Sequence, residues 1–200
     1  RVSNEVKVGI LDLGFKGYLS LKSAGELPSN VTTRSFRADG LIEGPDSWDD
    51  VTRVHGAACA EVVHDMAPGA KLYLVNFNTD VEHHNAVNWI NSQNPKPDIL
   101  SYSMGWFNIG DGKGTGPICE DVKKFTDNGG LWSSSAGNYA NNHWHGAYFD
   151  PDNDGYMDLN DSGYEWLYVY LPAYYTPWFW VNWDDWGTWS GSDYSGSAND

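Results

Sequence analysis

Three residues far apart along the chain carry side chains suited to acyl-transfer chemistry. Asp12 closes the apolar run VKVGIL, His55 stands with Gly56 ahead of the helix-spaced Ala58, Cys59, Val62, Val63 and Met66, and Asn138 ends SSSAGN. A carboxylate bonded to an imidazole fixes its tautomer and stabilises the imidazolium formed when the His takes a proton from a nucleophile. An Asn amide at a third strand end can donate to a developing oxyanion. Each residue also has an ordinary reading: Asp12 as a strand-ending turn residue, His55 as a solvated cap at a helix start, Asn138 as a turn Asn. A different chemistry is written in DPDNDGYMDLND, residues 150–161. Asp150, Asp152 and Asp154 at alternate positions, Gly155 for a sharp turn, Tyr156 offering its carbonyl, Asp158, and Asp161 at the last place reproduce the oxygen-ligand spacing of a calcium loop. A solvated acidic turn is the alternative, since Asp and Gly also favour turns. The flanks read as strands, so the loop chemistry is expected without a helix-loop-helix.

The elements that must hold these groups follow from periodicity. VKVGIL reads as a buried strand stopped at DLG, and residues 16–54 as a loop-rich segment with a strand around Thr32 to Phe36. A helix is expected over about 56–66, with His55 at its first turn and Pro68 and Gly69 beyond its end. KLYLVNF, DVEHHNAVNWINS, DILSYSM, GPICEDVKKFTDN and GGLWSSSAGN then alternate strand and helix. That alternation predicts an α/β fold, a parallel sheet with helices on its faces, whose reactive residues gather at the carboxyl ends of the strands. Asp12, Ser103 to Gly105 and Asn138 all fall at such ends. Past this point helical periodicity vanishes. YEWLYVYLPAYYTPWFWVNWDDWGTW, broken by Pro172 and Pro177, predicts antiparallel strands of a β-rich, sandwich-like segment over 141–200, following a core over 1–140. Its aromatics suit a sandwich core; a sugar-stacking platform is the functional alternative.

Composition narrows the partners. The 200 residues carry 12 basic and 27 acidic side chains, a net charge of −15 spread along the chain, which argues against nucleic acid and anionic membranes as partners. No apolar run approaches membrane-spanning length, and the opening Arg1-Val2 is expected to mark a processed chain or an excised piece. The two cysteines, Cys59 and Cys119, do not make a disulfide scaffold. His83 and His84 occupy adjacent helical positions that face different ways, and His143 and His145 have no third ligand at matching spacing, so neither pair reads as a metal site. Asn30-Val31-Thr32 and Asn160-Asp161-Ser162 are glycosylation sequons in a eukaryotic source.

VKVGILDLG, HGAACAEVV, APGAKLYLV, SYSMG and SSSAGN occur in the order and approximate spacing found in the subtilisin-like serine peptidases, which the chain resembles over about residues 5–140. The resemblance implies a subtilisin-like sheet with Asp12 and His55 as triad acid and base and Asn138 as oxyanion donor. It further implies that Ser103-Met104-Gly105 and Ser135-Ala136-Gly137 line the primary specificity pocket, where their backbones pair with an extended polypeptide substrate as an added β-strand.

Departures from the family accompany the matches. Leu13 stands where the family has Ser or Thr, and Ala57 and Ala58 replace its Thr and His. Cys59 falls where some relatives carry a free buried cysteine, so a packed thiol is expected rather than a disulfide with Cys119. The motif that presents the nucleophilic Ser is missing; Ser197 in SGSAND is a faint candidate without a following helix to raise its hydroxyl. The expectation is a serine endopeptidase, acting through an acyl-enzyme in a secreted or extracellular setting, whose nucleophile is supplied by a continuation or partner fragment. A structural calcium ion and no organic cofactor are expected. Two rivals stand beside it: a catalytically dead peptidase-like binding protein, and a carbohydrate-binding β module fused to such a domain.

Overall fold

The computed structural model describes residues 5–139, 142–159, 163–166, 168–183 and 186–196. The chain divides into two compact units, Arg1–Ala136 together with Asn182–Asp200, and Gly137–Val181.

The first unit is α/β. Strands β1 (Lys7–Asp12), β2 (Thr32–Ser35), β3 (Lys71–Asn76), β4 (Ile99–Tyr102) and β5 (Leu131–Ser134) form a five-stranded sheet in the order β2-β3-β1-β4-β5. All its neighbours run parallel, with Asp12 opposite Asn76 and Tyr102 opposite Ser134, so the carboxyl ends share one edge. Helices α1 (Tyr18–Ala24), α2 (Asp50–Met66), α3 (Asp80–Ser92) and α4 (Pro117–Asp127) flank it. Strand alternation sorts the core. Val8, Ile10, Leu72 and Leu74 pack with Ala60 of α2 in one cluster, while Leu11, Tyr73 and Val75 pack with Ala86, Val87 and Ile90 of α3 and Phe125 of α4 in another. Buried on both faces, β1 and β3 read as near-continuous apolar runs. From β1 the chain turns to one side of the sheet, to β2 and β3, then crosses to β4 on the other. β1 and β4 therefore bound the point where strand order reverses, the place where open α/β sheets form their crevice.

Two expectations about this unit change. The His-bearing helix starts earlier than about 56, because Asp49 caps it, accepting from Thr52 N at 2.8 Å, which places His55 inside α2 rather than at its first turn. The segment over 16–54 holds α1 as well as β2, with left-handed Gly17 and Gly25 at the two caps of α1.

The second unit contains no helix or strand among the described residues. Among the described residues the expected sandwich-like strands over 141–200 reduce to an antiparallel pair, β6 (Thr188–Trp189) with β7 (Tyr194–Ser195), and this pair belongs to the first unit. The physical reason lies in what strand propensity measures. Trp and Tyr favour strands when a facing layer buries them, and here Tyr168, Tyr170, Tyr174, Trp178 and Phe179 are exposed. The β6–β7 hairpin is tied down by Tyr194. Its hydroxyl accepts from Asp111 N at 3.1 Å and lies 3.0 Å from Thr115 Oγ1, over a stretch where Gly116 adopts φ 102° and leaves room for it.

Candidate active site

Asp12 ends β1 and is 1% exposed, while His55 projects from α2 with its side chain 40% exposed. His55 Nδ1 lies 2.7 Å from Asp12 Oδ2. Asp12 Oδ1 accepts from Leu13 N at 2.8 Å, so one carboxylate oxygen is anchored to the backbone and the other holds the imidazole. With Nδ1–H donated to Asp12, Nε2 carries the lone pair and is the nitrogen free to act as base. Burial raises the Asp12 pKa above its ordinary value, against the lowering effects of the His55 contact and of the Leu13 and Gly14 amides.

Close approach of helix to strand sets this geometry. Gly56 N donates to Gly14 O at 3.1 Å, and Lys16 N to Arg53 O at 2.8 Å, so α2 lies directly against the turn that follows β1. A Cβ on Gly56 would meet Gly14 O at 2.6 Å and Asp12 Cβ at 2.7 Å. Only glycine fits there.

Asn76, which the sequence reading passed over, does comparable positioning from β3. Fully buried, its Nδ2 lies 3.3 Å from Leu13 O, 2.8 Å from Leu41 O and 3.1 Å from Ile42 O, and it thereby ties the turn after Asp12 to the loop before α2. A polar residue at the end of the apolar run KLYLVNF was the available signal.

Ser103, Met104 and Gly105 leave β4 without regular structure, Met104 packing against the core and Gly105 exposed. Ser135 and Ala136 leave β5 beside them, Ser135 N donating to Tyr102 O at 3.0 Å and so extending the parallel ladder past the strand ends. Gly137 and Asn138 belong to the second unit, where Asn138 is exposed in a bend. Ser197 and Asp161 lie outside the described residues. Among the described residues no serine hydroxyl is hydrogen-bonded to His55.

Cys59 and Cys119 are free thiols. Cys59 Sγ lies 4.0 Å from His55 Nδ1, and burial first, then the Asp12 charge, push its pKa up, which makes it a poor nucleophile at neutral pH. Asp12, His55 and Cys59 bring one potential metal-ligand atom each within 4.8 Å of one another, but the nitrogen involved already bonds Asp12. The adjacent histidines meet where helical spacing alone separates them. Asp121 of α4 reaches between the two, with His83 Nδ1 at 2.8 Å from one oxygen and His84 Nδ1 at 2.6 Å from the other. Fully buried His83 is ringed by Phe77, Tyr102, Trp106 and Trp132, so this cluster supports the strand that leads into Ser103. His143 Nδ1 lies 3.2 Å from Tyr139 O in a loop.

In the second unit the carboxylates of Asp150, Asp152 and Asp154 offer oxygens within 4.8 Å of one another. Tyr156 is exposed and Asp158 buried.

No protein-family model matches the chain, and no curated protein matches it significantly. No helix among the described residues is long and apolar enough to cross a membrane.

Proposed function

We propose that this chain is the Asp- and His-bearing part of a subtilisin-like serine endopeptidase that works outside the cell. The observation that carries the reading is the contact between a buried carboxylate at the end of a central parallel strand and an imidazole on the neighbouring helix, 2.7 Å apart, with Nε2 left free. In this reaction His55 Nε2 takes the proton of a serine hydroxyl as that oxygen attacks the scissile carbonyl. Asp12 keeps the ring in the required tautomer and offsets the charge it gains. Asn138 donates its amide to the oxyanion of the tetrahedral intermediate. The proton then passes from Nε2 to the leaving amine, giving the acyl-enzyme, which water hydrolyses by the same steps in reverse. Ser103 to Gly105 and Ser135 to Gly137 receive an extended polypeptide by backbone pairing, which gives affinity with broad side-chain tolerance.

The nucleophile is assigned to sequence outside these 200 residues. Labelling of a longer form of the protein by a fluorophosphonate, lost on replacing the labelled Ser by Ala and reduced on replacing His55 by Ala, is the expected result. A longer form that binds peptides but takes no label would establish the rival, a peptidase-like binding protein.

The aromatic segment favours a second activity in the same polypeptide. Trp178 and Trp180 are exposed, their rings 6.4 Å apart and inclined by only 19°, an arrangement suited to stacking on sugar rings. Retention of the chain on insoluble polysaccharide, lost on replacing both Trp residues by Ala, tests this; equal retention of the variant sinks it.

A further inference from the structure

We infer that the acidic turn of Asp150, Asp152 and Asp154 forms a calcium site in which Asp158 is a buried ligand and Glu165, a residue outside the sequence motif, supplies a closing carboxylate. The spacing of Asp150, Asp152 and Asp154 makes an acidic turn and would not by itself distinguish a solvated loop from a metal loop. Asp158 makes the distinction. It is 5% exposed, and among the described residues no group donates a hydrogen bond to its carboxylate. A buried carboxylate is ordinarily paired with a donor or a cation, because the charge is otherwise stripped of water without replacement. The backbone of Asp158 sets it beside the acidic turn, Asp158 N donating to Phe149 O at 2.7 Å, next to Asp150. Asp150 repeats the pattern at the atomic level. Its Oδ1 is shielded from solvent and has no partner, whereas Oδ2 accepts from Gly155 N at 3.3 Å and lies 3.3 Å from the Tyr148 hydroxyl.

A divalent cation held by Asp150, Asp152 and Asp154, whose oxygens lie within 4.8 Å of one another, and drawing Asp158 in to them would satisfy both carboxylates at once. The backbone then accounts for Glu165. Leu159 N donates to Tyr164 O at 2.6 Å, and Asp158 Oδ1 is 4.0 Å from the position a Cβ would take on Gly163. Glu165 therefore follows directly on a segment held against Asp158. Oxygen-only donors, most of them carboxylates on a flexible loop with Gly155 at φ 92° in the sharp turn, suit calcium, which accepts six to eight oxygens in loose geometry, better than magnesium, which demands a near-regular octahedron and keeps its waters.

Terbium is the probe, since Tyr148 lies beside Asp150 and can sensitise its emission. The 200-residue chain, titrated with Tb3+ under tyrosine and tryptophan excitation, should show saturable luminescence. Calcium at micromolar to millimolar concentration should abolish that emission, and the same concentrations of magnesium should leave it. Calorimetry with calcium alone should give a stoichiometry of one. Asp158→Asn and Glu165→Gln should each weaken calcium binding by about tenfold or more, as expected when ligand charge is removed. Melting in chelator separates lost ligation from lost fold: Asp158→Asn should melt no lower than the unaltered chain there, because it removes a repelled buried charge, and should gain less on adding calcium. The inference is overturned if the unaltered chain shows no saturable calcium binding, if magnesium competes equally, or if Asp158→Asn binds calcium as tightly as the unaltered chain. Unchanged binding by Glu165→Gln overturns the place given to Glu165. None of these outcomes depends on peptidase activity.

Discussion

At the scale of single residues, Asp12 sets stability against function. Burial holds its folded pKa above the ordinary 3.8, so the ionised form that grips His55 is a cost to the fold. The sign follows from that direction. Below 3.8 the carboxyl is protonated folded or unfolded and contributes nothing; as pH rises through the raised folded value the penalty sets in and then stays. Asp12→Asn retains an oxygen for Leu13 N and removes the penalty. Its melting temperature at pH 7 to 8 is expected to equal or exceed that of the unaltered chain, with the difference vanishing near pH 4, as scanning calorimetry across pH will report. In a form of the protein that carries the nucleophile, the same change should lower kcat by about 10⁴-fold, because an Asn amide stabilises the wrong tautomer. A melting temperature lowered at pH 7 to 8 but not near pH 4 would show that the ionised carboxylate stabilises the fold. Asp12 and His55 were legible from sequence because each stands where an apolar run ends or a helix faces the sheet. Asn76 was not. An Asn after an apolar run serves many turns, and nothing local reveals that its amide reaches carbonyls 34 to 63 residues away.

Elements, rather than side chains, decide how closely base and acid approach. The separation of α2 from β1 is set at Gly56, where a methyl group would come within 2.6 to 2.8 Å of Gly14 O, Asp12 Cβ and Phe15 Cε1. Two of these neighbours are backbone or a Cβ and cannot swing aside. Gly56→Ala should therefore cost about 1–3 kcal/mol by overpacking, a fall in melting temperature of roughly 2–4 °C per kcal/mol for a chain of this size. It should also lengthen the Asp12–His55 contact, seen as an upfield move of the His55 Nδ1 proton resonance. Unchanged melting and an unchanged resonance would mean that α2 has slack the packing does not show. What the sequence revealed about elements depended on how local their causes are. α3 spans Asp80–Ser92 as its periodicity predicts, because Thr79 and Glu82 form a complete capping box at its start. α2 begins ahead of the run read as helical because its first turn sets the single apolar Val51 among Asp50, Thr52 and Arg53, too little pattern to mark the cap at Asp49. The aromatic segment misled for the opposite reason. Its composition is that of strands, but pairing needs a partner and a covering layer, and composition carries neither.

For the whole molecule, the decisive feature is apolar surface on the helix that bears the candidate base. Val51, Val54, Ala58, Val62 and Met66 recur every three or four residues along α2, and all are exposed, Met66 by 83% and Val51 by 75%. His55 borders that stripe. A helical face of this kind is ordinarily buried, and on the proposed reading the segment that carries the serine covers it. The 200-residue chain by itself is accordingly expected not to hydrolyse peptides: Asp12 and His55 can organise a base, but a base without an aligned nucleophile leaves only the small acceleration that binding and a partial oxyanion site provide. The stripe should bind a hydrophobic dye or drive concentration-dependent self-association, and both should diminish when the segment carrying the serine is supplied, in the same polypeptide or as a separate fragment. The measurements are fluorophosphonate labelling, peptide hydrolysis and dye fluorescence, each with and without that segment. Labelling of the chain alone at Ser197 would relocate the nucleophile to this chain. Hydrolysis undiminished by Asp12→Asn or His55→Ala would remove the base from the mechanism altogether.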